Sequence, residues 1–519
     1  MQRRVIKDLL AYLPSKILPA LTAFITVPIF TRLFAPDQYG NYNLAIGVSE
    51  FLIAGTVTGF AAAAVRFYAA YELKEKLSDY FGTIFSTTAV LTIVGGIIAA
   101  VLMVTAKAAD LVDDNLYSLL WVALLLFIVS SWYTVLMHIV RAEEKSRWYT
   151  AFELSMRYGM VIIAWIMATQ FDVGVGSILW GQVIITIVLM IPLFWVTSKG
   201  IAIRFSKLTR SDFAPFWAYA LPLTIGNLAF WGLRLADRYI VKIFHDSYEV
   251  GVYLVSYNIS ARSIDLLVGL FLIVPGPIMM RTWEEKGRAE TEETLTTFTR
   301  MFLILVVPAV VGLAVTARLL VGFLADPEYF DGYRATFFVA ASSALFGLGQ
   351  LGSYGILLGK KTNILARNQF IAVAVSLALN IALVPWLGFM GAALAGTIAF
   401  GFQTVLQAYH SSKFLTWRWP MPTLWRVIGA TVLMGIAAGL IVEFGPADGT
   451  KEQVLTFLIA VGAGAVAYGI AIIGLGEVSI AQLRTIRSEH GPDAMIASVS
   501  EDAESESTIP PMPETTVEI

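Results

Sequence analysis

The chain contains no cysteine and few charged residues, and both shortages limit its chemistry. With no thiol among 519 residues, disulfides and thiol catalysis are excluded. Only 14% of the residues are charged and only four are histidine, at the scattered positions His138, His245, His410 and His490. No zincin, P-loop or nucleophile-elbow spacing occurs. We therefore expect no catalytic centre, no metal site, no cofactor and no nucleic-acid partner.

Long apolar runs make up most of the sequence. Hydrophobic residues account for 57% of the chain, and the mean hydropathy is +0.72. Runs of about twenty apolar residues are long enough to cross a bilayer as helices. The fold class predicted is an all-α integral membrane protein with about fourteen spans. We place them near 9–31, 43–65, 82–105, 116–139, 149–170, 175–197, 214–240, 251–275, 296–317, 336–358, 365–386, 389–411, 424–443 and 454–475.

Basic residues predict the orientation of these spans. Most of the 36 Lys and Arg residues fall in alternate connecting segments, for example at Arg66, Arg141 and Arg281. Because Lys and Arg are retained on the cytoplasmic side, both termini are predicted to be cytoplasmic. The first apolar run is full length and lacks a small-residue cleavage site, so we expect a retained helix rather than a signal peptide.

One short pattern occurs twice, some two hundred residues apart. The first copy is LFAPDQYGNYNLAIG at 33–47, and the second is IFHDSYEVGVYLVSY at 243–257. Aligning Gly40 with Gly251 also aligns Tyr42 with Tyr253. The two copies join the first to the second span and the seventh to the eighth. Because six spans is an even number, the halves share one orientation and a pseudo-two-fold axis along the membrane normal.

This repeat predicts the domain organisation. Residues 1–210 and 211–420 form an N-terminal and a C-terminal six-helix lobe, and 421–478 form an additional two-helix segment. No Lys or Arg follows Arg487, whereas acidic residues continue to the end. We therefore expect 479–519 to be an acidic, disordered cytoplasmic tail.

The two corners carry a resemblance to a known family. The segments TRLFAPDQYGNYNLA at 31–45, VRFY at 65–68, ADRYIVKIF at 236–244 and GVYLVSYNIS at 251–260 resemble polysaccharide transporters. These are the Wzx-type flippases of the multidrug/oligosaccharidyl-lipid/polysaccharide exporter superfamily. The resemblance covers roughly 5–475.

The resemblance implies a function. A flippase of this family moves undecaprenyl-pyrophosphate-linked oligosaccharide across the bacterial inner membrane by alternating access, from the cytoplasmic to the periplasmic leaflet. The product serves exopolysaccharide, capsule or O-antigen synthesis. Membrane lipid, a polysaccharide polymerase and a chain-length regulator are the other partners expected. Such a protein is not an enzyme.

Several charged residues lie inside the apolar runs, where an unpaired charge is costly and usually faces a cavity or a partner. Guanidinium groups suit a pyrophosphate, and buried carboxyls suit proton or ion coupling. The predicted pyrophosphate-binding residues are Arg262, Arg234, Arg238, Lys16, Arg32 and Arg66. The predicted coupling residues are Glu50, Asp265 and Asp237. Snorkelling of Lys16 and the helix-end cations, and structural ion pairs for the others, remain alternatives. A pair between Arg262 and Asp265 is one of them, and Glu153 with Arg157 is interpreted as a plain i, i+4 pair.

Three rival functions remain open at this point. A cation-coupled multidrug exporter of the same superfamily prefers an acidic cavity, whereas this chain has a cationic surplus. A lipid II flippase and a polytopic polysaccharide-assembly enzyme are the others. The enzyme class needs a large polar loop or a convergent catalytic set, and the sequence offers neither.

Overall fold

The computed structural model describes residues 22, 24–198, 210–446 and 449–477. Over these ranges the chain is helical, without strands. The helices are α1 Phe24–Leu33, α2 Pro36–Thr56, α3 Thr58–Glu72, α4 Leu77–Ala108, α5 Asp114–Ala142, α6 Ser146–Gln170, α7 Gly176–Ser198, α8 Arg210–Phe244, α9 Ser247–Leu272, α10 Pro275–Leu324, α11 Thr336–Gly352, α12 Tyr354–Leu358, α13 Thr362–Leu387, α14 Phe389–Ser411, α15 Met421–Phe444 and α16 Thr450–Gly474. A 3₁₀ helix, Pro327–Ala335, precedes α11.

The all-helical membrane fold is as predicted, while the number of spans stays a prediction. Every predicted span from 43–65 onward falls on helix; most of 9–31 lies outside the described residues. Ten helices in the described ranges are long and apolar enough to cross a membrane, or eleven if α2 and α3, bent by 43° at Val57, form one span. The run Ser247–Leu324 is counted once although it holds two predicted spans.

The helices pack in two groups with a third pair attached. In the N-terminal half, α5 packs on α2, α3, α4 and α7, and α6 packs on α7. In the C-terminal half, α11 packs on α9, α10 and α14, and α13 packs on α14 and α8. The pair α15 and α16 lies against α10. The halves meet where α2 contacts α8 and α9, and where α3 contacts α8.

The repeated corner is the closest point between the halves. A Cβ on Gly40 would overlap the carbonyl oxygen of Ser247, and a Cβ on Gly251 would overlap the carbonyl oxygen of Pro36. Pro36 precedes Gly40 by four residues, as Ser247 precedes Gly251, so the contact is reciprocal. Only glycine lets two helix backbones approach this closely. We call the end of the bundle that carries this crossing the corner end.

Side chains reinforce the contact at the corner end. Ser247 Oγ donates to Asn41 Oδ1 over 2.5 Å, and Lys242 Nζ donates to Ser247 Oγ over 2.6 Å. The same ammonium pairs with Asp113 Oδ2 at 2.9 Å. Tyr329 Oη donates to the Phe34 carbonyl over 2.7 Å. Helices from both halves are thus tied together here, so the corner end is closed in this structure.

Glu477, just after α16, attaches the C-terminal helix pair to α10. Its fully buried side chain accepts from Arg300 of α10 at 2.8 Å, Arg426 of α15 at 3.0 Å and Thr423 at 2.6 Å. Burial on its own raises the pKa of Glu477, but the hydrogen bonds from Thr423 and the two guanidinium groups outweigh it, so the pKa lies below its usual range. The ionised carboxylate therefore stabilises the folded state.

The crossing predicts the effect of a side chain at either glycine. Asn41→Cys with Ser247→Cys places two thiols across the halves of a chain that has none of its own. A short bifunctional thiol reagent should join them in membranes. Adding Gly40→Val should lower the cross-linked fraction more than about tenfold. A steric clash that costs more than about 1.4 kcal/mol shifts the equilibrium between joined and separated halves by at least that factor. Gly269→Val, on α9 with open space around its Cβ, is the matched control. Equal cross-linking in the two valine variants would contradict the crossing.

Glu477 predicts a pH-dependent stability. The pKa of Glu477 is lower in the folded chain than in the unfolded chain, so the ionised carboxylate stabilises the fold above the unfolded pKa of ~4.3. This stabilisation is lost as the pH falls through the pKa of the folded state. Glu477→Gln should cost about 1–3 kcal/mol at neutral pH. It should also lose less stability than the native chain between about pH 5 and about pH 3, since glutamine does not titrate. Thermal unfolding in detergent measures both effects. The exposed Glu443 supplies the control Glu443→Gln, which should follow the native pH curve.

Candidate functional site

Below the glycine crossing, α8 and α9 hold a compact polar cluster. Asp237 and Arg238 on α8 are each only 8% exposed. Asp237 Oδ2 accepts from Tyr253 Oη at 2.7 Å, and its Oδ1 accepts from the Arg238 amide at 2.8 Å. The Arg238 guanidinium lies over the Tyr257 ring, 5.2 Å from the centroid. Within the described residues, Arg238 Nε is buried and has no hydrogen-bond partner. Each oxygen of Asp237 therefore accepts one hydrogen bond, whereas Arg238 keeps an unused donor.

Asp265 pairs with Arg234, so the alternative in which it pairs with Arg262 is wrong. Arg234 Nη2 lies 2.6 Å from Asp265 Oδ2, and Arg234 Nε donates to Tyr257 Oη over 3.3 Å. Arg262 and Asp265 are three residues apart on α9, a spacing that permits an intrahelical pair. Asp265 instead contacts Arg234 on α8. The ion pair therefore links two helices and is not an intrahelical pair.

A small polar cavity lies beside this pair, inside the C-terminal half. Its volume is about 30 Å³, enough for one or two waters. Its polar lining comes from Arg234, Asp237, Asp265, Tyr253, Tyr257, Ser342, Ser343 and Ser376. Apolar side chains such as Leu233, Phe346 and Phe400 complete the lining. Two of the three predicted coupling carboxylates thus share one small space. We call it the polar cavity.

Arg262 faces the other half of the molecule. Its side chain is exposed, and its Nε donates to Asn258 Oδ1 over 3.3 Å. Asn258 Nδ2 in turn donates to Tyr39 Oη over 3.2 Å, across the halves. The charges that act on Arg262 are those of Arg157 and Glu50, both from the N-terminal half. Arg262 is thus a cation between the halves without an ion-pair partner among the described residues.

The N-terminal half contributes Arg157 and Glu50 to the same space. Arg157 Nε lies 3.2 Å from Glu153 Oε1, so the predicted i, i+4 pair is confirmed. Arg157 nevertheless stays exposed and within electrostatic range of Arg262. Glu50 is half-buried and acts electrostatically on Arg238 as well as on Arg262. The N-terminal half therefore places one cation, Arg157, and one carboxylate, Glu50, within electrostatic range of Arg262.

The remaining predicted residues are not part of this cluster. Lys16 lies outside the described residues. Arg32 Nη2 donates to the Phe323 carbonyl over 3.0 Å, in the last turn of α10 at the corner end. Arg66 is exposed on α3. The structure therefore brings together Arg262, Arg238, Arg234, Glu50, Asp237 and Asp265. Arg32 lies at the end of α1, whereas Arg66, predicted at a helix end, lies in the middle of α3.

Sequence reasoning missed Tyr39 and Asn258, which hold Arg262 in place across the halves. Asn258 stands four residues before Arg262, the spacing at which helix side chains meet, and this signal was available. Tyr39 precedes the repeated glycine, but nothing in the sequence indicates that it reaches α9.

Comparison with known proteins identifies the family. A profile described as "Polysaccharide biosynthesis protein" matches residues 29–330, more than half of the chain. The chain belongs to this family. The matched range includes both corners and every described residue of the cluster.

Two relatives from Haloferax volcanii are similar over part of the chain. The probable low-salt glycan biosynthesis flippase Agl15 is 21% identical over 253 residues, 48% of this chain and 53% of that protein. The probable flippase AglR is 23% identical over 330 residues, 61% of this chain and 65% of that protein. The chain thus matches between half and two thirds of the length of these relatives.

Two solved structures share the fold. The lipid II flippase MurJ in an inward closed conformation aligns with a TM-score of 0.70 and 15% identity, over 90% of this chain and 98% of that one. An inward-facing multidrug resistance MATE family transporter aligns with a TM-score of 0.65 and 13% identity, over 77% and 94%. The fold of this multi-pass membrane protein is therefore that of flippases and multidrug transporters.

The pair of Arg234 and Asp265 predicts non-additive stability. Asp265→Leu leaves Arg234 with only the tyrosine hydroxyl, and Arg234→Met leaves Asp265 without its cation. Each single variant should lower the free energy of unfolding by about 1.5–3 kcal/mol. The double variant should cost clearly less than the sum, because no charge is left unpaired. Arg262→Met, which gives up one 3.3 Å bond to Asn258, is the control and should change stability by less than about 1 kcal/mol. Additive single effects in thermal unfolding would show that the pair is not coupled.

Proposed function

We propose that the protein is a flippase for undecaprenyl-pyrophosphate-linked oligosaccharide repeat units. The observation that carries the proposal is Arg262, an exposed cation between the two halves that has no ion-pair partner among the described residues. An unpaired charge inside a membrane-spanning bundle is costly, and an anionic ligand offsets that cost. The guanidinium fork suits a pyrophosphate, which it binds through two parallel hydrogen bonds. The family assignment and the two flippase relatives support the same substrate class.

The proposed mechanism is alternating access between two halves. The repeat unit enters between the halves at the end opposite the corners, which we assign to the cytoplasm together with both termini. Arg262 binds the pyrophosphate, Arg238 offers its unused Nε, and Arg157 adds charge from the N-terminal half. Separation of Gly40 from Ser247 and of Gly251 from Pro36 then opens the corner end to the periplasm. The bound molecule moves across the inner membrane without any covalent bond being made or broken.

Coupling of transport to an ion is assigned to Glu50, Asp265 and Asp237. Two of them line the polar cavity, where a proton or cation changes the balance of charge around Arg234. Glu50 lies between the halves and interacts electrostatically with both Arg238 and Arg262. Uptake of a cation at Glu50 alters how strongly the halves attract one another, and uptake at Asp265 or Asp237 alters the contact between α8 and α9 inside the C-terminal half. Polymerase and chain-length regulator partners complete the proposed pathway, and the roles of Lys16, Arg32 and Arg66 stay predictions.

The MurJ fold keeps a lipid II flippase as the second candidate. Both substrates are prenyl-pyrophosphate-linked sugars, so Arg262 serves either one. A cation-coupled drug exporter is less well supported, because Arg157, Arg238 and Arg262 repel a cationic drug. In a deletion strain, accumulation of lipid-linked repeat units in the inner leaflet supports the first candidate, and accumulation of lipid II supports the second.

The proposal predicts a graded loss of export at Arg262. Arg262→Gln should abolish surface polysaccharide, and Arg262→Lys should be intermediate, because lysine keeps the charge and loses the bidentate fork. Protein level and melting temperature should stay near those of the native chain, since within the described residues Arg262 gives up one hydrogen bond, that to Asn258. Arg318→Gln, an exposed arginine of α10, is the matched control and should leave export unchanged. Normal export in the Arg262→Gln strain would contradict the assignment of Arg262 to the substrate.

A further inference from the structure

A second polar cluster lies within the C-terminal half, away from the space between the halves. It consists of the side-chain amides of Asn368 and Gln369 on α13 and of Gln403 and Gln407 on α14, and we call it the amide cluster. Asn368 is 0% exposed, Gln403 3% and Gln407 5%. Gln403 Nε2 donates to Gln369 Oε1 over 2.5 Å. Three of the four amides are thus buried and Gln369 is half-buried, in a helix pair that also buries Ser376, Asn380 and Thr404.

Most of the hydrogen-bonding capacity of the amide cluster is unused. Within the described part of the chain, both amide atoms of Asn368, Nε2 of Gln369, and Oε1 of Gln403 and of Gln407 are buried without a partner. Leaving one such group unsatisfied costs about 1–3 kcal/mol. Buried polar groups of this kind are normally paired, and internal water commonly supplies the partner. Five unpaired atoms at one place indicate a hydrated site.

The amide cluster lies in line with the polar cavity. The hydrogen bond between Gln369 and Gln403 fixes the antiparallel register of α13 and α14. Ser376 follows Gln369 by seven residues on α13, and Gly396 precedes Gln403 by seven residues on α14. Both residues line the polar cavity. Two helical turns correspond to roughly 10 Å. The turn between them is filled by Ala372, Ala399 and Phe400, which pack in one core cluster.

The other side of the amide cluster approaches the end of the bundle opposite the corners. Arg367 is exposed there and donates from Nη2 to His410 Nε2 over 2.8 Å. His410 Nδ1 lies 2.9 Å from the Leu406 carbonyl, so a neutral ring with its proton on Nδ1 satisfies both contacts. Arg367 lies in the second turn of α13, which begins at Thr362. Gln369 follows Thr362 by seven residues, so the amide cluster lies about 10 Å from this end of the helix.

We propose that the amide cluster holds internal water and forms an access path for a small monovalent cation, H⁺ or Na⁺, to the polar cavity. Amide oxygens and water replace the hydration shell of such an ion without adding a fixed charge. Phe400 closes the path in this conformation, because its ring lies between the amides and the cavity that it lines. The inference rests on the proposed function in one respect: the cation that arrives binds at Asp265 or Asp237.

Silver ion tests the path without any transport assay. Ag⁺ is a small monovalent cation that reacts with thiols, and the native chain has no cysteine to compete. In the full-length chain with Ser376→Cys, Ag⁺ added on the side of Arg367 should block later labelling of the denatured protein by maleimide. Adding Gln403→Met, which keeps the length and removes the amide, should slow this reaction at least about tenfold. Adding Phe400→Ala should accelerate it.

Gln182→Met on α7 is the matched control for the silver experiment. Gln182 Oε1 is also buried without a partner, but it lies in the N-terminal half. This variant should leave the silver rate unchanged. Asn368→Leu is a second blocking variant, should Gln403→Met fail to accumulate. Two results would overturn the path. One is that neither blocking variant lowers the rate at which Ag⁺ reacts with Ser376→Cys, and the other is that Ag⁺ reaches this position only from the corner end.

Transport measurements then identify the cation and separate this inference from the proposed function. In proteoliposomes, Gln403→Met should reduce flipping driven by a sodium gradient if Na⁺ uses the path, or by a pH gradient if H⁺ does. Binding of the lipid-linked substrate should be unchanged, since the amide cluster lies away from Arg262. One combination of results is that the blocking variants slow the reaction with Ag⁺ as expected while the native chain flips no lipid-linked substrate. That combination would support the path and refute the substrate assignment.

Discussion

The backbone crossing of α2 and α9 at Gly40 and Gly251 determines how the two halves of this protein meet. Each glycine lies against a carbonyl oxygen of the opposite helix, at a distance that excludes any side chain. The crossing brings Tyr39 to Asn258 and Ser247 to Asn41, and it directs the first turns of both helices toward one another. Because the contact uses backbone atoms, it holds the halves together without filling the space below it. That space is where Arg262 and Glu50 lie.

Charge is distributed differently on the two sides of α9. Toward α8, Arg234 is paired with Asp265, and Asp237 is satisfied by Tyr253 and a backbone amide. Toward the N-terminal half, Arg262 donates to Asn258 and has Arg157 and Glu50 within electrostatic range, but it has no ion-pair partner among the described residues. One helix thus separates a paired polar interior from an unpaired cation between the halves. Under the proposed function, the ion acts inside the C-terminal half and the anionic substrate binds between the halves.

Much of the fold followed from hydropathy and from the repeated corner, and the limits of prediction have physical causes. The repeat predicted two equivalent helices, but not that they touch, because an internal repeat does not specify how far each copy lies from the symmetry axis. Helical spacing suggested that Asp265 joins Arg262, whereas the partner is Arg234 on a neighbouring helix whose rotation the sequence does not encode locally. The amides at Gln369 and Gln403 were invisible to an averaged hydropathy, since two polar residues in twenty hardly change the mean. Arg262, Glu50 and the carboxylates were found because a charge in an apolar run is a strong signal.

Glu477 links the last two helices to the body of the C-terminal half through one side chain. Arg300 belongs to α10, in the body of the C-terminal half, yet its carboxylate partner comes from beyond α16. The same carboxylate also accepts from Arg426 of α15. A single substitution at Glu477 therefore loosens both C-terminal helices from α10 at once, although the residue belongs to neither helix.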